Sequence, residues 1–212
     1  MSNIRLMKEL KVIKGSSEMY IDVDDNNMKT FEVMFFGPPD SCFENGVFVF
    51  EFNMPDNYPF DVPKVKFITG GLINARIHPN LYKEGKVCLS ILNTWGTNEW
   101  SPLLTIEKII LTIKGLLDNN PIAHEPSFSK CKNEGYNIYS QYYSLKSIYA
   151  TYNYYKDRPF GEIIKRHLTD NIKEINLKIG ELSVHHNKSY HTIHHGNAII
   201  NIESLRKNIE EI

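Results

Sequence analysis

The 212-residue sequence is poor in cysteine and carries almost no net charge. Its 24 Lys and Arg residues face 25 Asp and Glu residues, so the formal net charge is −1. This balance disfavours nucleic-acid binding driven by phosphate neutralisation. The three cysteines, Cys42, Cys88 and Cys131, are too widely spaced for a disulfide framework or a metal-ligand pattern. We therefore expect a reducing, intracellular location in the cytoplasm, with the nucleus as a second compartment.

Long apolar runs are also missing. No window holds 18 uncharged apolar residues, which excludes a membrane span. Residues 1–10 are charged and amphipathic, and we expect a helix there rather than a signal peptide. The composition, 42% hydrophobic and 23% charged, is ordinary for a packed globular protein, and the length allows one large domain or one domain with an appendage.

Runs typical of β-strands occupy the first third of the sequence. Turn-forming clusters separate the runs at 19–23, 30–36, 47–52 and 62–68, the last of which is expected to stop at Gly70-Gly71. Four strands joined by short turns predict an antiparallel meander. From residue 72 to 102 the chain shows neither a helical nor a strand period, which is typical of a functional segment.

Apolar residues at helical spacing predict helices on both sides of these strands. The predicted helices cover the N-terminus, residues 105–117, a tyrosine-rich stretch at 136–155, residues 164–182 and residues 202–212. The aromatic stripe at 136–155 is more typical of a core or an interface than of a cofactor site. We expect an α+β fold with a core domain at residues 1–155 and a helical C-terminal extension at residues 156–212.

The segment most informative about chemistry is His78-Pro79-Asn80, followed eight residues after Asn80 by Cys88. A cysteine in an irregular segment can be a nucleophile, but cysteine is also among the most buried residue types. The nearest histidine, His78, lies ten residues upstream and gives no support for a protease dyad. From these residues alone, the catalytic and structural interpretations of Cys88 both remain open.

The motif resembles that of the ubiquitin-conjugating enzymes, in which His-Pro-Asn precedes the acceptor cysteine at this spacing. Further similarities lie, in the family's order, at residues 5–10, 37–41, 46–48, 58–67 and 100–102. The resemblance covers about residues 1–155. It implies the ubiquitin-conjugating fold, with an N-terminal helix, a four-stranded antiparallel meander, a crossover helix and C-terminal helices.

The resemblance also implies a reaction. Cys88 would accept ubiquitin as a thioester from the activating enzyme and pass it to a substrate lysine, usually with a ligase. ATP is consumed by the activating enzyme, so no cofactor is expected here. Asn80 would donate to the tetrahedral oxyanion, or it would hold the loop by bonding the backbone. We expect His78, with Pro79, to be structural rather than a base.

A loop beyond the crossover helix supplies two further candidates. Family members often carry a carboxylate before a proline there, and Glu125 before Pro126 takes that place in a segment about two residues longer than usual. Glu125 would border the path of the attacking amine, and His124 would accept or relay a proton. Alternatively, both are solvated loop residues.

Partner surfaces follow from position in the same resemblance. Arg5 and Lys8 match a basic face used on the activating enzyme, although a solvated face explains them equally well. Phe60, Ser101 and Pro102 match the two loops that a RING or HECT ligase contacts. With the substrate protein and ubiquitin, these are the expected partners; we expect neither nucleic acid nor membrane.

Two departures indicate a subfamily. The chain is about four residues longer than the common form between Cys88 and Trp100, and it carries Asn120-Pro121 and Glu125-Pro126 in the loop beyond the crossover helix. Both resemble the larger conjugating enzymes that are charged by the alternative activating enzyme and can also carry another ubiquitin-like modifier. The alternatives are a conjugating enzyme for another modifier and a non-catalytic ubiquitin-binding scaffold. The second is disfavoured because Cys88 and Asn80 are both present.

A histidine-rich run at residues 185–195 invites a metal interpretation. It contains no cysteine, and its spacing fits no structural zinc pattern. We predict a solvated linker between two helices and no metal site.

Overall fold

The computed structural model describes residues 2–24, 26–194 and 196–212, without the side chains of Ser2 and Asn3. Met1 of the predicted first helix, Asp25 of the first predicted turn and His195 of the histidine-rich run lie outside the described residues.

The sheet is the predicted antiparallel meander. Its strands are β1 (Tyr20–Asp24), β2 (Asn27–Phe36), β3 (Val47–Asn53) and β4 (Lys64–Phe67), in the spatial order β1-β2-β3-β4. Register places Val33 opposite Phe50 and Phe50 opposite Phe67. The predicted order and antiparallel pairing of the four strands are thereby confirmed.

The helices surround this sheet and confirm the predicted α+β fold. They are α1 (Ser2–Lys14), α2 (Ile68–Ile73), α3 (Ile106–Leu116), α4 (Glu134–Tyr155), α5 (Pro159–Leu182) and α6 (Ile202–Glu210). The crossover helix α3 begins at an N-cap where the Thr105 side chain accepts from the Lys108 N–H. No helix in the described ranges is long and apolar enough to cross a bilayer.

The prediction that the fourth strand covers residues 62–68 and is stopped by Gly70-Gly71 was wrong in its bounds and in the role of the glycines. The strand ends at Phe67, and both glycines lie inside α2, within a stretch where no helix was predicted. A Cβ at Gly70 would lie only 2.8 Å from the Tyr82 carbonyl oxygen. The glycine therefore lets α2 pack directly against the loop that follows it rather than ending a strand.

Both faces of the sheet are buried. Successive strand residues point to opposite faces, and β3 buries four in a row, Val47 to Phe50. Phenylalanines of β2 and β3 pack with α1 and α3 on one face. The other face, with Met34, Val47 and Val49, packs with α4 and α5, including Phe160 and Ile164. The extension therefore shares a core with the sheet, and the domain boundary between residues 155 and 156 stays a prediction.

Two backbone donors of β3 are satisfied by helix side chains. The strand β4 pairs only with Phe50–Asn53, so the N–H groups of Val47 and Val49 extend beyond it. Val47 donates to the Ser147 hydroxyl at 2.7 Å, and Val49 donates to the Thr69 hydroxyl at 2.9 Å. These bonds explain why the two hydroxyl side chains are buried among apolar residues.

The prediction of a solvated linker at residues 185–195 was wrong. The chain forms a hairpin there, with β5 (Ser189–Thr192) and β6 (Gly196–Ile199). Thr192 and Ala198 are buried, and the Tyr190 ring lies against Gly135 at the start of α4. Burying one side of the hairpin against α4 favours ordered strands over a solvated loop. Within the described residues, no group of three His, Cys, Asp or Glu side chains is arranged to hold a metal ion.

Candidate active site

The loop that carries Cys88 folds back beside β4. Gly85 adopts a positive φ of 100°, which a side chain would strain, and its carbonyl accepts from the Phe67 N–H at 2.8 Å. Tyr82 donates to the Lys86 carbonyl at 2.9 Å, closing the turn. This turn returns the chain toward Asn80 and presents Cys88 beside it.

Cys88 and Asn80 are joined by two hydrogen bonds. The Cys88 N–H donates to the Asn80 carbonyl at 2.8 Å, and the Asn80 side-chain amide donates to the Cys88 carbonyl at 2.7 Å. The loop-holding interpretation of Asn80 therefore matches a bond in the structure. The amide still carries a second N–H, so this bond leaves a donor for the oxyanion role.

His78 orders the same loop from below. It is fully buried, and its Nδ1 accepts from the Asn80 N–H at 3.0 Å. Burial holds the pKa of His78 well below its usual range, with the nearby His124 acting in the same direction. A neutral ring with one nitrogen accepting a backbone bond agrees with the structural role predicted for His78. The adjacent Pro79 carbonyl accepts from the Arg76 guanidinium.

The Cys88 thiol lies at the floor of the site, and the residue is only 3% exposed. Its S–H donates to the Thr94 carbonyl at 3.4 Å. The Thr94 hydroxyl also bonds the residues on both sides of Cys88. It accepts from the Leu89 N–H at 2.8 Å and donates to the Val87 carbonyl at 2.7 Å. No sequence signal indicated Thr94, because its role depends on the longer segment folding back.

The electrostatic environment keeps this thiol protonated at rest. Burial raises the pKa of Cys88, while the positive charges of Lys86 and Arg76 oppose the shift and Glu125 adds to it. The site is therefore built around an unactivated thiol rather than a preformed thiolate.

A groove of about 110 Å³ brings the predicted catalytic residues together. It is lined by Pro79, Asn80, Tyr82, Cys88, Trp95, His124, Glu125 and Pro126. All four predicted catalytic residues thus lie in one place, although they come from loops on either side of α3. Trp95 lines the groove and is 48% exposed.

Glu125 and His124 follow one another in the chain but have different partners. The Glu125 carboxylate lies 3.1 Å from Nε2 of His194 and 4.0 Å from the Arg76 guanidinium. His124 Nε2 lies 2.9 Å from an oxygen of Asp118. Both side chains are partly buried, and each is paired with a residue of another segment or loop position. Their catalytic roles stay predictions.

Arg76 is a site residue that the sequence did not reveal. Its guanidinium stacks on the Tyr82 ring, 3.6 Å from the centroid, and reaches both the Pro79 carbonyl and Glu125. It lies in the aperiodic stretch, where neither period nor motif singled it out. Arg76 joins the loop of Asn80 to the loop of Glu125.

The two basic residues predicted to contact the activating enzyme differ in their surroundings. Arg5 donates to Glu9 at 2.7 Å and to the Leu104 carbonyl at 2.9 Å, so part of its charge is used within the fold. Lys8 is exposed, and it borders an open patch with Ile4 and Met7, which are 62% and 53% exposed. The contact itself stays a prediction.

The predicted ligase surface is formed by two loops that touch. Phe60 is 68% exposed, whereas Ser101 and Pro102 are half-buried. The Trp100 indole N–H donates to the Pro59 carbonyl at 2.9 Å and so ties the two loops together. Leu103, which the sequence did not single out, is 83% exposed beside them.

Comparisons with known proteins agree with this geometry. The family model described as "Ubiquitin-conjugating enzyme" matches residues 5–146. "Probable ubiquitin-conjugating enzyme protein 17" of Caenorhabditis elegans is 34% identical over 182 residues, which are 77% of this chain and 25% of that protein. "Ubiquitin-conjugating enzyme E2 Z" of Danio rerio is 39% identical over 117 residues, 55% of this chain and 36% of that protein. "Ubiquitin-conjugating enzyme E2 13" of Saccharomyces cerevisiae is 38% identical over 136 residues, 61% of this chain and 83% of that protein.

The chain thus spans about a quarter to a third of the first two relatives and most of the third. The family match covers the sheet, the groove and the first half of α4, and stops before the extension. With Cys88 and Asn80 in place, the chain belongs to the ubiquitin-conjugating enzyme family.

Proposed function

We propose that this protein is a ubiquitin-conjugating enzyme that carries ubiquitin as a thioester on Cys88 and transfers it to a substrate lysine. The observation that carries the proposal is the bonded pair of Cys88 and Asn80 at the floor of a groove bordered by Glu125 and His124. The family relationship supports ubiquitin as the group transferred.

Charging exchanges one thioester for another. Cys88 loses its proton, its sulfur attacks the thioester carbonyl carbon held by the activating enzyme, and that enzyme's thiolate leaves and takes up a proton. One C–S bond forms and one breaks, so the step is nearly balanced and needs access more than a strong base. A buried thiol with a raised pKa suits this requirement once the groove admits the thioester.

Discharge to lysine depends more than charging does on stabilising negative charge in the transition state. The amine attacks the Cys88 thioester carbonyl, and the tetrahedral intermediate places negative charge on oxygen. The second N–H of the Asn80 amide is the donor available to that oxyanion. The C–S bond then breaks and Cys88 leaves as a thiolate, which recovers a proton; starting from a lysine ammonium, one proton is released overall.

Glu125 acts on the incoming amine. With an ordinary lysine pKa near 10.4, roughly one amine in 2,500 is neutral at pH 7. A carboxylate at the rim of the groove attracts the ammonium form, which loses one proton to become the neutral, nucleophilic amine. As that amine forms the N–C bond, Glu125 accepts its N–H hydrogen bond and receives the proton that the nitrogen then sheds. His124, paired with Asp118, is the residue next in line to carry that proton onward.

The partners follow from the same proposal. The activating enzyme would bind the face of α1 that carries Lys8 and Arg5, and a RING or HECT ligase would bind the loops of Phe60, Ser101 and Pro102. The alternative activating enzyme is our choice, resting on the longer segment before Trp100 and on the extension. A cytoplasmic location, with the nucleus as a second compartment, is part of the proposal and rests on the three free thiols.

The test is a charging assay with ATP, ubiquitin and either kind of activating enzyme, run with and without reductant. We expect a reductant-sensitive adduct of one ubiquitin that Cys88→Ala abolishes. Cys42→Ala and Cys131→Ala are matched controls that keep it, since the groove that holds Asn80, Glu125 and His124 is lined by Cys88 and by neither of these cysteines. Retention of the adduct in Cys88→Ala contradicts the site. If Cys88 is charged only with another ubiquitin-like modifier, that modifier replaces ubiquitin in the proposal.

A further inference from the structure

The C-terminal extension reaches the active site through one side chain. His194 lies in the turn between β5 and β6, and its side chain is only 9% exposed. Its Nε2 lies 3.1 Å from the Glu125 carboxylate, and its Nδ1 lies 3.1 Å from the Tyr136 hydroxyl. A residue 69 positions away in the chain therefore contacts the carboxylate at the rim of the Cys88 groove.

The chemistry of the three groups defines the direction of these bonds. An ionised carboxylate can only accept, so Nε2 of His194 carries the hydrogen and donates to Glu125. In the neutral ring Nδ1 then accepts, and the Tyr136 hydroxyl donates to it. Tyr136 is buried at the start of α4, and burial raises its pKa, so its hydroxyl keeps the proton it donates. Both ring nitrogens of His194 are thereby used.

Besides the neutral His194 ring, Glu125 has one charged neighbour within 4 Å in the described residues, namely Arg76 at 4.0 Å. The Arg76 guanidinium is already engaged with the Tyr82 ring and the Pro79 carbonyl. The closer contact at 3.1 Å to His194 therefore sets the orientation of the carboxylate. Without it, a side chain that is 29% exposed can turn toward Arg76 or toward solvent.

We infer that His194 is a positioning residue for ubiquitin transfer, holding the Glu125 carboxylate at the rim of the groove through its bond to Nε2. The hairpin of the extension thereby completes the active site of the conjugating domain. This inference rests on the proposed function and adds that lysine transfer depends on the extension.

The experiment uses the full chain, charged with ubiquitin on Cys88, purified from the activating enzyme and mixed with free lysine. The rate of thioester loss to lysine is compared between wild type and His194→Ala, in which we expect discharge to slow about tenfold, because a misplaced group loses much of its effect. His194→Gln should restore most of the rate, since its amide can donate to Glu125 and accept from Tyr136. His191→Ala is the matched control, an exposed histidine of the same hairpin bonded to Asn197, and its discharge rate should equal that of wild type.

A double variant tests whether His194 acts through Glu125. Glu125→Gln alone and Glu125→Gln with His194→Ala should discharge at the same rate, because the second change has nothing left to position. A further tenfold loss in the double variant overturns the inference, as does a wild-type rate in His194→Ala. An equal loss of charging and discharge with a lowered melting temperature, unrelieved by His194→Gln, also overturns it. If wild type forms no thioester with any modifier, the proposed function itself fails, and the inference fails with it.

Discussion

The Asn80 amide and the Cys88 carbonyl are joined by a bond of 2.7 Å, while the Cys88 N–H is bonded to the Asn80 carbonyl at 2.8 Å. The first bond is made by a side chain and the second by the backbone alone. A substitution at Asn80 therefore removes one bond and leaves the other. This asymmetry separates the structural contribution of Asn80 from its contribution to the oxyanion.

Asn80→Ala should slow discharge to lysine far more than it slows charging. The lost loop bond is worth about 1 kcal/mol of stability, whereas losing an oxyanion donor costs on the order of 10²–10³-fold in rate. Single-turnover rates of both steps, with the melting temperature, provide the comparison. Equal losses in the two steps together with a lower melting temperature would assign Asn80 to loop structure alone.

Trp95→Ala should make Cys88 more reactive toward iodoacetamide. Cys88 is 3% exposed and Trp95 lines the same groove, so we expect removal of the indole to widen access to the sulfur without changing its charged neighbours. We expect the rate of Cys88 alkylation to increase several-fold. The rate is measured by mass spectrometry of the peptide that contains Cys88. Cys131, exposed and distant in the chain, is the internal reference and should react at an unchanged rate. An unchanged rate of Cys88 alkylation would mean that the raised pKa of the thiol, rather than shielding by the Trp95 side chain, limits its reactivity.

Local signals explain which parts of this molecule could be predicted. The strands were apolar, β-type runs separated by strong turns, and Cys88, Asn80, Glu125 and His124 were assigned through the resemblance to a known family, whose motifs each lie within a short stretch. The contact between His194 and Glu125 spans 69 residues and depends on how the hairpin docks on α4, which no local pattern encodes. Arg76 was missed for the same reason, since its partners on the two loops meet only after folding.

Ile164→Ala should lower the free energy of unfolding by about 2–4 kcal/mol, as is typical when a large apolar side chain is removed from a core. Ile164 is fully buried where α5 covers the second face of the sheet. Leu177→Ala on the same helix is the control, because Leu177 is 64% exposed. This substitution should change the free energy of unfolding by no more than about 0.5 kcal/mol. Urea unfolding of the full chain provides the measurement.

A chain ending at Asp157 extends the same argument. It exposes the apolar face formed by Met34, Val47 and Val49, so we expect aggregation or a strongly lowered melting temperature. A soluble, cooperatively folding chain of this length would show that the extension is an appendage and that residues 1–155 fold as a domain of their own.

His167 should make the protein less stable as the pH falls from 7.5 to 5.5. Its ring stacks on Phe36, with centroids 3.5 Å apart, and its Nε2 lies 3.1 Å from the Asn45 side-chain oxygen. Burial lowers the pKa of His167 to about 4, with Asp170 opposing the shift. The unfolded chain, with an ordinary histidine pKa near 6.5, therefore binds a proton that the folded protein does not, so the stabilisation present above about pH 6.5 is lost as the pH falls toward 4.

The variant His167→Gln isolates this contribution from that of His78, whose lowered pKa acts with the same sign. The Gln side chain cannot titrate, so the fall in urea midpoint between pH 7.5 and pH 5.5 should be smaller in the variant than in wild type. Each buried neutral histidine adds at most about 1.4 kcal/mol per pH unit to that slope. The same fall in both proteins would mean that His167 is protonated as readily in the folded chain as in the unfolded one, and that its stacking on Phe36 does not exclude the charged form.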